Sequence, residues 1–557
     1  MILEKARDPK FWAEIKNDPS KKFIVDGVEQ AYSVLDHRPI SIRYRDFRRF
    51  QIPGDGNRTL CDQAIVEQSK RLIFSAFMAL LHPEEEEHLL NLQDAIWAIC
   101  DNYSWDTSAH HNGQYDDRLI GIMTANRALD FSIIYTLLGD RLDPLVKTRM
   151  EKEIERRVIH SYLDRHYFWE TLDNNWNAVC VCGIVAALIV FRPDQFHWLF
   201  PRISNSIDCY LAAFKEDGAC VEGAGYWNYG FGMFSVMADL ICEFTEGRID
   251  YFKNPKVKSI ATFLQKTFLQ NNTFVMFGDC GTSLRYYLGT YHLLCSKYPD
   301  VMEPLPLSVA HVTLDMMIML YAFTHFDPRF ATETICDNVT YCMKETQWFI
   351  KRTPKYAFAT KGGSNSESHN HNDIGTFMIT KDNRQILCEL GAGLYDKAYF
   401  AKETRYTYFT TSSLGHSLPI INGQPQVGIP DTCSQMEWDE RTLSIDLTVG
   451  YDVPNLTKAT RFFTFEGDSV VCLTDRYVFE GEGRVTERFV TFHKPEITPD
   501  GIRLGSDALL RYTGATADVH EERYYNTPEN RDAGGLPFYC IDFISDDPTE
   551  FSLRIEL

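Results

Sequence analysis

The sequence lacks any apolar run long enough to cross a bilayer: the longest, Ala178 to Phe191, falls short of the roughly 18 residues a span needs. Positive charge is also in deficit. Against 77 Asp plus Glu there are 56 Lys plus Arg, a formal net charge of -21, which disfavours nucleic acid and anionic lipid surfaces as partners. The opening residues, MILEKARDPKFWAEIKNDPS, have neither an apolar stretch nor a small-residue cleavage site, so no secretory signal is read and a cytoplasmic location is expected. No low-complexity linker and no internal repeat are evident. Cysteine is not scarce, but 15 is an odd number, and the residues are scattered through a chain large enough to fold without staples. Reduced thiols are therefore expected, with Cys180 and Cys182 packed in an apolar helical run.

What is present is core material. At 557 residues and 44% hydrophobic content, the chain exceeds what one hydrophobic core supports, and two large domains fit. From about residue 60 to about residue 340 the apolar residues recur at helical spacing. Periodic runs occupy roughly 61 to 82, 177 to 191, 196 to 214, 230 to 245, 256 to 270 and 306 to 324. Asp116 and Asp117 open another, with Leu119, Ile122, Met123, Ala125, Leu129, Ile133 and Leu137 on its apolar face and Gly139 closing it. Asp143 and Pro144 read as the cap and first turn of the next, and Glu84 to Glu87 as a solvated helix start. Helix after helix with short turns implies a bundle, a solenoid or a closed toroid of hairpins.

After about residue 345 the texture changes to short alternating segments rich in Val, Thr, Phe and Tyr. TRFFTFEGDSVVCLTDRYVF reads as two strands joined tightly at Gly467 and Asp468. The expected division is a helical domain over 1–343 and a domain of stacked antiparallel sheets over 344–557.

The densest polar cluster is SESHNHNDIGTFMI, Ser366 to Ile379. If its backbone is extended, His369, His371 and Asp373 share one side and Asn370 and Asn372 the other. Further on, CELGAGLYD supplies Glu389 and LGHSLPIINGQPQ supplies His416; with His371 they make a two-His, one-carboxylate set that suits zinc. In the helical part, LDNNWNAVC carries Asn174, Asn175 and Asn177, which suit a helix start as caps, and EGAGYWNYGFGMF carries Glu222, Tyr226, Trp227 and Tyr229. The second run has bulky residues where a phosphate loop needs bare backbone, and it follows no strand, so it is no nucleotide site. Aromatic and glycine-rich, it suits a sugar surface better. WDTSAHHNGQYDD, with His110 and His111, is another aromatic and polar loop.

Taken in order, NNWNAV, EGAGYWNYG, SHNHNDIGTF, ELGAGLY and GHSLPIINGQPQ resemble the heparinase II/III-like family of polysaccharide lyases, across most of residues 170–430. The resemblance implies an α/α toroid followed by stacked antiparallel sheets, and cleavage of uronic-acid-containing glycans by β-elimination. It implies Asn175, with Asn174 as the competing register, as the amide that neutralises the uronate carboxylate. Tyr226 matches the family's tyrosine that protonates the leaving oxygen, and His369 its histidine; which of the two takes the C5 proton is left open. Trp227, Tyr229 and His111 are expected to face substrate, while Arg405, in KETRYTYF, reads either as a substrate contact or as a salt bridge. His371, Glu389 and His416 match the positions of a structural zinc, Glu389 standing where the family has aspartate. No organic cofactor is expected. A homo-oligomer is compatible with the sequence.

Two other readings compete. A glycoside hydrolase on the same scaffold needs two carboxyl groups about 5 to 9.5 Å apart, for which Glu222, Asp173 and Asp279 are available. A binding protein would keep the cleft without turnover. Net charge does not exclude an anionic glycan, because it acts at long range and is screened beyond roughly 8 Å. It does favour short or lightly sulfated chains.

Overall fold

The computed structural model describes every residue except 1, 112, 114, 271, 272, 282, 283, 312, 336, 546 and 547. Its first part is a ring of helical hairpins. Four helices whose residues are mostly buried, Ile122–Leu138, Asn175–Phe191, Gly232–Phe244 and Met316–His325, touch in a closed cycle, the last returning to the first. A helix with no wholly polar face belongs inside such a ring. Gly183 lets two of these helices cross closely, since a Cβ there would lie 2.3 Å from the Ala125 carbonyl oxygen. Pro193–Ala212 and Leu288–Lys297 each pair with an inner neighbour, while Thr59–Leu81 and Glu86–Cys100 pair with each other.

Caps explain most boundaries. Asp143 accepts the Leu145 amide at 2.8 Å with Pro144 in the first turn. Asp116 and Asp117, by contrast, do not start a helix; that helix begins at Ile122, and Asp116 instead accepts the Arg118 amide and pairs with Arg165. The expected run 256–270 breaks into Pro255–Ala261 and Phe263–Thr267 followed by the strand Phe268–Gln270, and the run at 306 opens with a single 3-10 turn, Leu307–Val309, and becomes α-helical only at Met316. Helices also precede residue 60: Asp8 caps Pro9–Asn17, and Lys22–Ser33 buries Ile24, Val25, Val28 and Tyr32 at helical spacing.

The second part is antiparallel. Five strands run in the order 384–387, 377–381, 357–361, 348–352, 339–343; eight more form a large sheet, and four a smaller one. Alternation makes the five-stranded sheet a middle layer. Trp348, Ile350, Ala357, Ala359 and Met378 join the core of the helical ring, while Phe349, Phe358, Phe377 and Ile379 join the core shared with the large sheet. The hairpin 456–466/470–479 pairs Glu466 with Val470 around a three-residue turn in which Gly467 takes φ +60°. The 14 cysteines among the described residues are all free, and Cys180 and Cys182 are buried in the ring core.

Candidate active site

The polar cluster at 366–379 turns rather than extends. His369 sits at φ +53°, yet its ring and that of His371 converge on one carboxylate. His369 Nδ1 lies 2.9 Å from Asp279 Oδ2, and His371 Nε2 lies 3.0 Å from Asp279 Oδ1. Tyr399 donates its hydroxyl to Oδ1 at 2.5 Å, and Arg405 donates Nη2 to Oδ2 at 3.0 Å and to the Asn370 carbonyl at 2.9 Å. Burial alone would raise the pKa of Asp279, but the two histidine hydrogen bonds and the Arg405 charge override it and hold the carboxyl below the usual range. A carboxylate at Nδ1 requires the proton there, which leaves His369 Nε2 as the acceptor. Asn370 and Asn372 turn away, onto the Asn365 and Gln426 carbonyls. Asp279 was legible only as a stray acid; its signal is the Gly278 before it, at φ +65° beside the His369 carbonyl, which accepts the Asp279 amide at 3.2 Å.

From the ring side come the other two motifs. Asn174 caps the helix Asn175–Phe191 by accepting the Trp176 amide, and Asn177 donates to the carbonyls of Glu170, Leu172 and Ser206, so both are engaged in structure. Asn175 is buried, and its Oδ1 has no partner. Glu222 ties the motifs together. Its buried carboxyl accepts from the backbone N–H of Asn175 and from the Ser368 side chain, and Oε1 has no partner; burial raises its pKa. Four residues on, the Tyr226 ring stacks on His369 with centroids 4.0 Å apart. Its hydroxyl meets that of Tyr395 at 3.1 Å, and burial pushes its pKa well up, so it stays protonated.

The remaining expected contacts divide. Arg405 is mostly buried and fixed on Asp279, which makes it part of the His369 support. Trp227 is not open to a sugar: it is 1% exposed and donates its indole N–H to the Ile260 carbonyl at 2.8 Å, because the Tyr226 turn runs directly into a buried helix. His111 is also interior, bonded to Ser104 at 3.1 Å, whereas His110 packs against Trp176 with centroids 4.5 Å apart. Tyr229 is half-buried, its hydroxyl accepting from Asn126 at 3.2 Å. Tyr395 and Tyr399 were not anticipated.

Behind His369 lies a group that could hold a metal ion. His371, Asp373 and His416 bring ligand atoms within 4.8 Å of one another. His371 Nδ1 and Asp373 Oδ2 are buried without partners, while Lys361 takes Asp373 Oδ1 at 2.8 Å. Glu389 falls outside that group and instead bonds His416 Nδ1 at 2.7 Å. His371 and Asp373 each offer an orphaned buried atom, whereas His416 rests with Nε2 3.2 Å from the Thr410 carbonyl and would turn that nitrogen to a metal; the set is of a kind that suits zinc, with Glu389 as the group that orients His416.

The cleft between the parts holds a cavity of about 980 Å³, lined by Arg58, Asp62 and Lys70 from the ring, by Asp279, and by Leu394 and Tyr395 from the sheet domain. Three of the cations along this cleft are already paired: Arg58 with Asp62 at 2.5 Å, Lys70 with Glu67 at 2.6 Å and Arg49 with Asp55 at 2.9 Å.

No protein-family model matches the sequence, and no curated protein matches it. Solved structures do match the fold. A heparan sulfate lyase mutant from Pedobacter heparinus superposes with TM-score 0.62 at 14% identity, over 100% of this chain and 87% of that one. Heparinase III gives 0.64 at 13% identity, over 98% and 91%. The chondroitin AC lyase of Streptomyces coelicolor A3 gives 0.58 at 10% identity, over 100% and 82%. The chain therefore has the toroid-plus-sheet fold of these polysaccharide lyases.

Proposed function

We propose that this protein is a lyase that cleaves a uronic-acid-containing glycan by β-elimination. The stack of Tyr226 on His369, held against the Tyr395 and Asp279 that line the cleft, carries the reading. The heparan sulfate and chondroitin lyases of the same fold support the substrate class.

The steps follow from protonation states. His369 Nε2 accepts the C5 proton of the uronate, the electrons form the C4–C5 double bond, and the C4–O bond breaks. Tyr226, neutral because burial raises its pKa, gives its proton to the leaving oxygen. Charge gathering on the uronate carboxylate is met by the Asn175 amide, a donor of a kind that contributes on the order of 3 kcal/mol when preorganised. Hydrolysis is less suited to these residues: Asp279 is occupied by four donors, and a carboxylate so engaged makes a poor nucleophile. His371, Asp373 and His416 would hold a structural zinc, whose chemistry is to stiffen the loop that carries His369. The paired cations of the cleft leave little charge for sulfate groups, which favours lightly sulfated or unsulfated chains. The test is a panel of uronate polymers followed by the absorbance of the conjugated unsaturated uronate. Absorbance on an unsulfated member supports the reading, and a panel without absorbance rejects it.

A further inference from the structure

The cleft has a built end. Beyond the cavity beside Asp279 and Tyr395 lies a second one of about 430 Å³, which shares Arg58, Thr59, Leu394 and Tyr395 with the first. Its far wall is made from both parts of the protein: the ring segment at 53–57 on one side, Pro528 and Arg531 on the other. The two sides meet, since a Cβ on Gly56 would lie 3.2 Å from the Lys397 Cβ. Gly54 at φ +82° and Gly56 at φ +62° give the segment the bends that bring it across.

This crossing is braced at both feet. Arg49 holds Asp55 through two hydrogen bonds, at 2.9 and 3.1 Å, and Asn57 accepts the Thr59 amide at 2.9 Å. On the sheet side the Leu394 amide donates to the Tyr525 carbonyl at 3.2 Å, tying the Tyr395 loop to the strand end from which Pro528 and Arg531 follow. A segment with these internal bonds acts as a wall. The cavity it bounds, about 430 Å³, shares its inner lining with the cavity of about 980 Å³ beside Asp279, and both fall in the about 300–1,000 Å³ usual for small-ligand sites, enough together for a short stretch of sugar rings.

We infer that the protein acts on chain ends, releasing one short unsaturated oligosaccharide per cleavage, because a polymer running past Tyr226 in both directions meets the wall formed by 53–57 and Lys397. This rests on the lyase reading above. A polymer whose end enters the cavity instead places the scissile bond at a fixed number of rings from that end.

The experiment follows one reaction on a long unsulfated uronate polymer in two ways, absorbance of the unsaturated product and size of the remaining polymer. Chain-end action gives one small product from the earliest times while the bulk polymer keeps its size. A ladder of intermediate sizes with an early collapse of polymer length overturns the inference. Absence of absorbance on every polymer and oligosaccharide instead removes the lyase reading itself, a distinguishable result. A second arm replaces residues 53–57 by two glycines, with melting and circular dichroism to establish that the variant folds. The folded variant is expected to produce the ladder; an unchanged single product would show that this segment is not the wall. Should the variant fail to fold, the wild-type product profile still decides.

Discussion

The two walls of the cleft are built on opposite principles. On the sheet side the catalytic histidine is tied down: Asp279, reaching across from the helical part of the chain, accepts from His369, His371, Tyr399 and Arg405, and Arg405 also holds the Asn370 carbonyl, while only the group behind it keeps open atoms, at His371 Nδ1 and Asp373 Oδ2. On the ring side groups are left open, with Asn175 Oδ1 and Glu222 Oε1 buried without partners and the Tyr226 hydroxyl meeting only another hydroxyl. A saturated network fixes a geometry, whereas an unsatisfied polar group is stabilised only when something binds it. The sheet wall positions, and the ring wall receives.

The strongest way to break this contrast is at Asp279. Asp279→Ala leaves Arg405 and two histidines without their acceptor and should cost about 3–5 kcal/mol of stability together with activity, read by denaturant unfolding and absorbance assay. If the variant unfolds like wild type, the sheet wall is not the support described. Tyr226→Phe is the opposite case: turnover should fall about 10²- to 10⁴-fold. Its stability should change by no more than the about 0.5–1.5 kcal/mol of one hydrogen bond. Near-full activity there would remove Tyr226 from the chemistry. Asn175→Ala should slow turnover about 10²- to 10³-fold. Because an unsatisfied oxygen is removed with the amide, its melting temperature should hold or rise; a large drop would make Asn175 structural.

Metal removal sharpens the sheet side further. A chelator should lower the melting temperature and release zinc in proportion to protein, and His416→Ala should abolish that response. No release of metal and no change in melting would dismiss the site.

The smallest effect concerns pH and has opposite signs in the two regions. Asp279, depressed below its unfolded value, contributes stability above the ordinary carboxylate range and loses it only in strong acid. Asp130, inside the ring, is raised to about 8, first by burial and then by neighbouring Asp315. It binds more protons folded than unfolded, so its contribution is complete below about pH 4 and is lost as pH rises toward 8. Asp130→Asn should flatten the decline of melting temperature across that window, and an unchanged slope would mean that the pair is not the source.

Much of this was legible in advance because helical and strand periods are local. The helices and the strands follow from apolar spacing and the cap at Asp143 from its own pattern, whereas the closing of the helices into a ring was expected only from the resemblance. Asn175, Tyr226 and His369 were singled out through the resemblance to known lyases, and the structure stacks Tyr226 on His369. Asp279 was not: its meaning lies in acceptors facing donors 90 and 126 residues away, a relation that no spacing records. The same applies to Asp373, which a sequence reading places beside His371 but cannot aim toward His416. Trp227 shows the reverse failure, an aromatic in a promising loop whose next helix carries it into the core.

The central claim is elimination, and product chemistry tests it most directly. With an unsulfated uronate oligosaccharide, the account predicts one conjugated double bond, seen by ultraviolet absorbance, for each new reducing end. New reducing ends without that absorbance would contradict it and make the protein a hydrolase.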